Sequence, residues 1–386
     1  MSCPKKIVLL GATGSIGENT LRVIRQHPDK LELIGIASHR RFRELAAIAE
    51  EFNVRHVAVF DQDAALAAKH SGLFDRQTPI LTGLDGLIEL ATLDAAELIV
   101  TAVVGTLSLK PTLAAIEQGK DIALASKEIL VLAGKFVMAA ARQHQVSILP
   151  LDSEHNAIFQ CLQGERATDV DKLILTASGG PFRDYDAAQM QAITLDDALQ
   201  HPNWSMGPKI TIDSSTMANK GLELIEAHWL FDKRPEDIQV AIHPQSIVHS
   251  MVQYVDGSIL AQLSPPSMTF AIQHTLLYPE RAEGVDATLD FSQWMRLDFR
   301  PPDFARFPCL RHAIDAMQVN GIAPAIFNAA NEIAVDAFLH DRIGYLEIHK
   351  IIGRCLEKMA PREPTDLEDV LNADQEARRM AEELIG

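Results

Sequence analysis

Three polar clusters in this chain have the residue types and spacing to do chemistry. Asp152 and Glu154 stand one residue apart in Leu149-Pro150-Leu151-Asp152-Ser153-Glu154-His155-Asn156, where an aliphatic run ends. Two carboxylates so spaced at an irregular strand exit can turn toward one ion, and oxygen ligands select hard divalent cations, Mg2+ or Mn2+. At a helix start the same acids would merely complement the dipole. His155 has the type of a third ligand, but strand-like alternation would point it away. The second cluster is the run His201–Glu226, HPNWSMGPKITIDSSTMANKGLELIE. Ser214, Asn219 and Lys220 offer donors to a phosphate, and Glu223 shares a helix face with Lys220 at i, i+3, from which it can reach back to the carboxylate pair. Glu226 reads as a solvated helix residue. The third is Ala125-Ser126-Lys127-Glu128 at a strand end, the place where open α/β sheets bind ligands. Lys127 either meets cofactor or substrate there or forms an ordinary exposed pair with Glu128. Ser178, in Ser178-Gly179-Gly180-Pro181-Phe182, suits close approach to a phosphate or ligand oxygen, with a plain turn as the alternative.

A nucleotide site is signalled nearer the N-terminus. The aliphatic run Ile7-Val8-Leu9-Leu10 leads into Gly11-Ala12-Thr13-Gly14-Ser15-Ile16-Gly17 and then a helical pattern to about Ile24. Strand, glycine turn and helix together let the backbone approach a pyrophosphate at a helix N-terminus. The second strand, Leu31 to Ala37, ends in Ser38-His39-Arg40-Arg41, with no acid to accept from a ribose 2′-hydroxyl. A guanidinium there welcomes a 2′-phosphate, so NADP is favoured over NAD. The alternative is a set of solvated loop charges.

These groups need a scaffold, and the alternation of elements supplies one. Further strands are expected at His56–Phe60, Glu97–Val104, Asp121–Ala125 and Val146–Leu149, with Ala-rich helices between them, which implies a doubly wound, Rossmann-like parallel sheet. Lys172–Ala177 and Lys209–Asp213 read as strands, and Met217–Leu230 as a helix. Strands near Gln239–Ile242, Ser246–Tyr254 and Ser258–Leu263, the last two joined by Asp256-Gly257, give an α+β part with a hairpin. Its sheet edge or face could pair across a homodimer. The expected division is a nucleotide-binding domain over 1–150 and a catalytic, metal and dimerisation domain over 151–281. A linker over 282–309 and a helical bundle over 310–386 complete it. The loop 201–209, with Pro, Gly and a lone Trp204, has the composition of a lid.

Composition bounds the partners. The chain has 386 residues, 47% of them hydrophobic, enough for packed cores in two or three domains. A net charge of −17 argues against nucleic acid or an anionic membrane as a main partner. Four scattered cysteines without CxxC spacing suggest a reducing compartment. No signal sequence or spanning apolar run is evident, so a cytoplasmic protein is expected.

Taken in order, GATGSIG, LASKE, LDSEHNAIFQ, ASGGPF, HPNWSMGPKITIDSSTMANKGLELIEA, HPQSIVHS and NAANEIAV resemble the 1-deoxy-D-xylulose 5-phosphate reductoisomerase family over nearly the whole chain. The resemblance implies an NADPH- and divalent-metal-dependent rearrangement and reduction to 2-C-methyl-D-erythritol 4-phosphate, in the MEP route to isoprenoid precursors. It implies a metal triad of Asp152, Glu154 and Glu223. It puts Ser178, Ser214, Asn219 and Lys220 on the phosphate, with Lys127, Ser153 and His201 facing the sugar. Trp204 and Met206 fall in the family's lid, and Gly207 lies against the cofactor. Thr13, Gly14, Ser15 and Ile16 match the cofactor loop, with Ser126 and Glu128 on the nicotinamide side. Ser38 and Arg40 stand where many members carry Gly-Lys/Arg-Asn, Ser126 where many carry Asn, and Pro208 where a basic residue is common. A related sugar-phosphate dehydrogenase without the isomerase step, or a non-catalytic NADP-binding protein, are the rival readings.

Overall fold

The computed structural model describes residues 3–75, 77–204 and 206–386. Ser205 of the expected lid lies outside the described residues. The chain forms two compact units, each assembled from separate segments. The first takes Met1–Ile129, Val137–Asn156 and Ser267–Thr288; the second takes Leu130–Phe136, Ala157–Pro266 and Leu289–Gly386.

The first unit is a seven-stranded sheet. Its strands are β1 (Lys5–Leu10), β2 (Leu31–Ser38), β3 (His56–Val59), β4 (Ile80–Thr82), β5 (Leu98–Thr101), β6 (Asp121–Leu124) and β7 (Ile148–Pro150). They lie in the order β4-β3-β2-β1-β5-β6-β7, and every pairing is parallel. Ile7 to Leu10 are wholly buried, as expected of a strand covered by helices on both faces. This is the doubly wound, Rossmann-like sheet that the alternation implied. The short β4 escaped the sequence reading, because three residues carry too little periodicity to register. The helix Met268–Leu277, capped by Ser267 accepting from the Thr269 N–H, belongs to this unit. Lys5 Nζ donates to the carbonyls of Leu276 and Tyr278 at 2.9 and 3.1 Å, tying β1 to that helix.

The second unit holds a four-stranded sheet of β8 (Val170–Ala177), β9 (Ile238–Ile242), β10 (Val248–Tyr254) and β11 (Ile259–Leu263), in the order β11-β10-β8-β9. β8 and β9 are parallel and the other pairs antiparallel. The Asp256-Gly257 hairpin forms as expected, with Gly257 at φ 85°. Four helices follow, Pro308–Val319, Ala323–Leu339, Glu347–Lys358 and Leu367–Ile385. Their buried faces and those of the sheet share one apolar core.

Two expectations are overturned here. Residues 209–213 are helical, within the helix Pro208–Thr216, and not a strand. Pro208 at the first helical turn fixes φ where no N–H is needed, and Lys209 pairs with Asp213 at 2.7 Å across one turn. Met217, at φ 61°, breaks that helix from the next, Ala218–Phe231. Secondly, Glu226 is fully buried, not solvated. That helix is enclosed on nearly every side from Lys220 to Ala227, so it has no polar face to display.

Candidate active site

In the first unit the glycine turn is built around two positions that tolerate no side chain. Gly11 sits at φ 96°, and a Cβ there would lie 2.3 Å from the Ala102 carbonyl oxygen. A Cβ on Gly17 would lie 2.3 Å from the Gly11 carbonyl oxygen, so helix and turn could not close. Gly14 caps the helix Ser15–Gln26 without a side-chain hydrogen bond, so the first N–H groups of that helix carry no side-chain cap. Beside the turn is a cleft of about 440 Å³, lined by Gly11, Thr13, Gly14, Ser38, Arg40 and Arg41, with Phe60, Leu87 and Val104 on its apolar side. Ser15 and Ile16 are not among its lining. Arg40 reaches Asp61 at 2.7 Å, and Arg41 donates to the Thr13 carbonyl. Asp61 also accepts from the Ala64 N–H, and this bond, then Arg40, holds its carboxyl below the usual range.

The carboxyl ends of β5, β6 and β7 carry the next group. Ser126 Oγ donates to the carbonyls of Thr101, at 3.2 Å, and Val103. Lys127 and Glu128 are buried, so the exposed-pair alternative fails. Lys127 Nζ lies 2.6 Å from Asp152 Oδ2. Burial alone would raise the Asp152 carboxyl pKa, but the Lys127 ammonium, and after it His155, hold it well below the usual range. Ser153 Oγ donates to Glu154 Oε2 at 2.5 Å. Residues 153–161 form a helix, so the strand alternation expected to turn His155 away does not apply. The buried His155 ring instead has Nδ1 3.9 Å from Asp152 Oδ1. Asn156 fixes this helix start by donating to the Pro150 carbonyl and Thr275 Oγ1, at 3.1 and 2.9 Å.

In the second unit Ser178 follows β8 in a turn that needs Gly179 and Gly180 at φ 80° and 67°. A Cβ on Gly180 would meet the Ser214 carbonyl oxygen at 2.8 Å, so the two serine-bearing segments touch through backbone. Ser178 Oγ lies 3.2 Å from His201 Nε2. In the helix Ala218–Phe231, Lys220 Nζ and Asn219 Nδ2 both donate to the Glu223 carboxylate. Lys220 and Glu223 are both buried, so the contact between them is held out of water.

The loop before this helix pair is anchored. Asn203 Nδ2 donates to the Pro244 carbonyl and Ser246 Oγ, both at 2.8 Å. Trp204 packs edge-on to His249, 6.3 Å between centroids, and Met206 is half-buried. The Gly207 carbonyl accepts from the Thr211 N–H and hydroxyl, closing the start of the next helix. Sequence reasoning missed the bolts beneath Ser214. Asp213 accepts from Asn331 at 2.9 Å, and Tyr345 OH donates to the Ser215 carbonyl at 2.7 Å. Asn331 lies in the NAANEIAV motif, a signal for the first of these bonds, whereas Tyr345 stands outside it.

Three family profiles match the chain. The profile of 1-deoxy-D-xylulose 5-phosphate reductoisomerase matches residues 7–134, that of its C-terminal domain residues 148–231, and the DXP reductoisomerase C-terminal domain residues 263–380. A Clostridium novyi protein named 1-deoxy-D-xylulose 5-phosphate reductoisomerase is 49% identical over 375 residues, 97% of each chain. The solved reductoisomerase of Zymomonas mobilis with NADPH is 44% identical, covers 99% of both chains and superimposes with a TM-score of 0.92. A solved DOX-P reductoisomerase with NADPH, fosmidomycin and magnesium is 43% identical, covers 99% of this chain and 98% of its own, and has a TM-score of 0.93.

Proposed function

The chain belongs to the 1-deoxy-D-xylulose 5-phosphate reductoisomerase family, and from that premise we propose which of its side chains run the reaction. It is an NADPH- and metal-dependent oxidoreductase and isomerase that converts 1-deoxy-D-xylulose 5-phosphate to 2-C-methyl-D-erythritol 4-phosphate in the MEP pathway. The rival readings, a dehydrogenase without the isomerase step or a non-catalytic binder, are not favoured by near full-length matches of this kind.

The residues fit both groups that the reaction needs. Gly11 and Gly17 make a cradle that a Cβ would fill, and Asp152 and Glu154 are hard oxygen donors. When bound, NADPH supplies a hydride and a divalent cation, Mg2+ or Mn2+, supplies Lewis acidity. Thr13, Gly14, Ser15 and Ile16 take the pyrophosphate, Ser38 and Arg40 the 2′-phosphate, and Ser126, Glu128 and Gly207 the nicotinamide side. Asp152, Glu154 and Glu223 hold the cation. Ser178, Ser214, Asn219 and Lys220 bind the substrate phosphate, which gives Lys220 an anion to share with Glu223. Ser153 and Lys127 orient the sugar oxygens, and His201 lies on the same side of the substrate. Lys127 holds a proton at Nζ and polarises an oxygen as the carbon skeleton rearranges to a branched aldehyde. Reduction then adds hydride and a proton to that aldehyde. Trp204 and Met206, in the lid 201–209, keep water from the intermediate. The observation that carries this reading is the burial of Lys127, Lys220 and Glu223, polar side chains withheld from water in a strongly acidic protein.

In this reading residues 1–150 serve the nucleotide, 151–281 the catalysis and dimerisation, 282–309 the link and 310–386 the helical support. The homodimer is supported by β11, an edge strand with Ile259 and Leu260 exposed, and by the fully exposed Trp294. A cytoplasmic setting is supported by the free cysteines. Among the described residues, no helix is long and apolar enough to cross a membrane. The decisive assay combines purified protein, NADPH, Mn2+ or Mg2+ and 1-deoxy-D-xylulose 5-phosphate. NADPH should be consumed and the branched polyol phosphate formed; no consumption, or an unbranched product, overturns the assignment.

A further inference from the structure

The backbone N–H groups of Asn203 and Trp204 both donate to His201 Nδ1, at 3.2 and 3.0 Å. A ring nitrogen that accepts two such bonds carries no proton, so the neutral imidazole holds its proton on Nε2. Across the 3.2 Å contact, His201 Nε2 is therefore the donor and Ser178 Oγ the acceptor. Ser178 Oγ also accepts from the Gly180 N–H at 3.2 Å. A serine hydroxyl has two acceptor lone pairs and one proton. With both lone pairs engaged, the Ser178 proton has only an outward direction left. Burial, and then the nearby Arg183 guanidinium, keep the ring neutral by lowering its pKa to about 4.

We propose that His201 is a positioning residue that does two jobs through one tautomer: Nδ1 ties down the Asn203–Trp204 turn of the loop, and Nε2–H turns Ser178 into an obligate hydrogen-bond donor. The role differs from a direct contact with the sugar. A site made this way favours a ligand oxygen that only accepts, such as an ionised phosphate, and it couples loop order to anion grip. The inference rests on the assignment of Ser178 to the substrate phosphate.

The test measures substrate KM, kcat and the inhibition constant of inorganic phosphate on the metal-loaded enzyme, with NADPH affinity as the check of folding. Ser178→Ala should weaken phosphate about tenfold, the loss of one hydrogen bond to a charged group. His201→Asn keeps an acceptor for the two backbone N–H groups but cannot reach Ser178, so it should weaken phosphate by a similar factor. His201→Gln, whose amide N–H can reach Ser178, should recover most of that affinity while lowering kcat through the loosened loop. The double variant Ser178→Ala/His201→Asn should be no weaker than Ser178→Ala alone. If Ser178→Ala leaves phosphate inhibition unchanged, the substrate assignment of Ser178 is wrong. If Ser178→Ala weakens phosphate but His201→Asn does not, or the two losses add, the relay alone is overturned. Nitrogen-labelled histidine spectra of the unsubstituted protein give an independent reading, and a His201 ring protonated on Nδ1 would sink the proposal.

Discussion

Lys127 Nζ and Asp152 Oδ2 meet at 2.6 Å because of sheet register. Leu124 of β6 lies opposite Pro150 of β7, and the Leu151 N–H donates to the Leu124 carbonyl at 2.8 Å. Each charged residue follows its strand by two or three positions, so the neighbouring strand ends deliver them together. Removing one member leaves a charge with less water than it needs. Lys127→Met should destabilise the metal-free protein by about 3–5 kcal/mol at neutral pH, read from denaturant unfolding. The sign with pH follows from the depressed Asp152 pKa. Such a carboxylate contributes stability above its unfolded pKa of about 3.9 and loses it as pH falls through the lower folded value. The gap between wild type and Lys127→Met should therefore narrow below roughly pH 4; a gap that stays constant there would detach it from Asp152.

Glu223→Gln should lower turnover by at least about a hundredfold, the scale of losing one electrostatic element of a reacting site. NADPH affinity should hold, as read by fluorescence titration. Unchanged activity would remove Glu223 from the cation shell.

Arg40→Ala should raise the dissociation constant of NADPH about tenfold, by loss of a charge-assisted hydrogen bond, and leave that of NADH nearly unchanged. Equal losses for both cofactors would show that Arg40, paired with Asp61, does not read the 2′-phosphate.

The His201 pKa is lowered from 6.5 to about 4 by burial and then Arg183. The fold thus binds fewer protons than the unfolded chain between these values. Its contribution is complete above about pH 6.5 and is lost as pH falls through about 4. Denaturant midpoints of wild type should fall over that window more steeply than those of His201→Asn, and parallel curves would contradict this.

The first sheet was legible because its strands are aliphatic runs too short for helices, bounded by turn residues and separated by helical patterns. Length and flanks mark them, since burial on both faces erases the period. The pattern failed where helices lack an exposed face. Glu226 looked solvated only because a glutamate in a helix usually is, and its helix is enclosed. The run Lys209–Asp213 reads as β-branched, yet Pro208 and the Lys209–Asp213 pair make it a helix. The carboxylates and Lys220 announced themselves by type and spacing. The Lys127–Asp152 pairing did not, since it depends on strand register, and neither did the Asp213–Asn331 bond, whose partners are far apart in sequence.

Gly134 offers a test of packing alone. A Cβ there would lie 2.4 Å from the Trp229 indole. Gly134→Ala should lower stability by about 1–3 kcal/mol, the cost of overpacking, seen as a reduced melting temperature with unaltered NADPH affinity. A neutral result would mean that the indole swings aside without penalty.

The tie from Lys5 to the carbonyls of Leu276 and Tyr278 bears on how the protein is made. Lys5 leaves the ribosome 271 residues ahead of Leu276, whose carbonyl it is joined to. Between Asn156 and Ser267 the growing chain adds only second-unit residues, while the nucleotide sheet lacks its last piece. At about 5–20 residues per second that interval lasts roughly 6–22 s, during which the flank of β1 stays uncovered. A fragment ending near residue 150 should therefore be sticky and protease-sensitive, and chaperone demand should peak mid-synthesis.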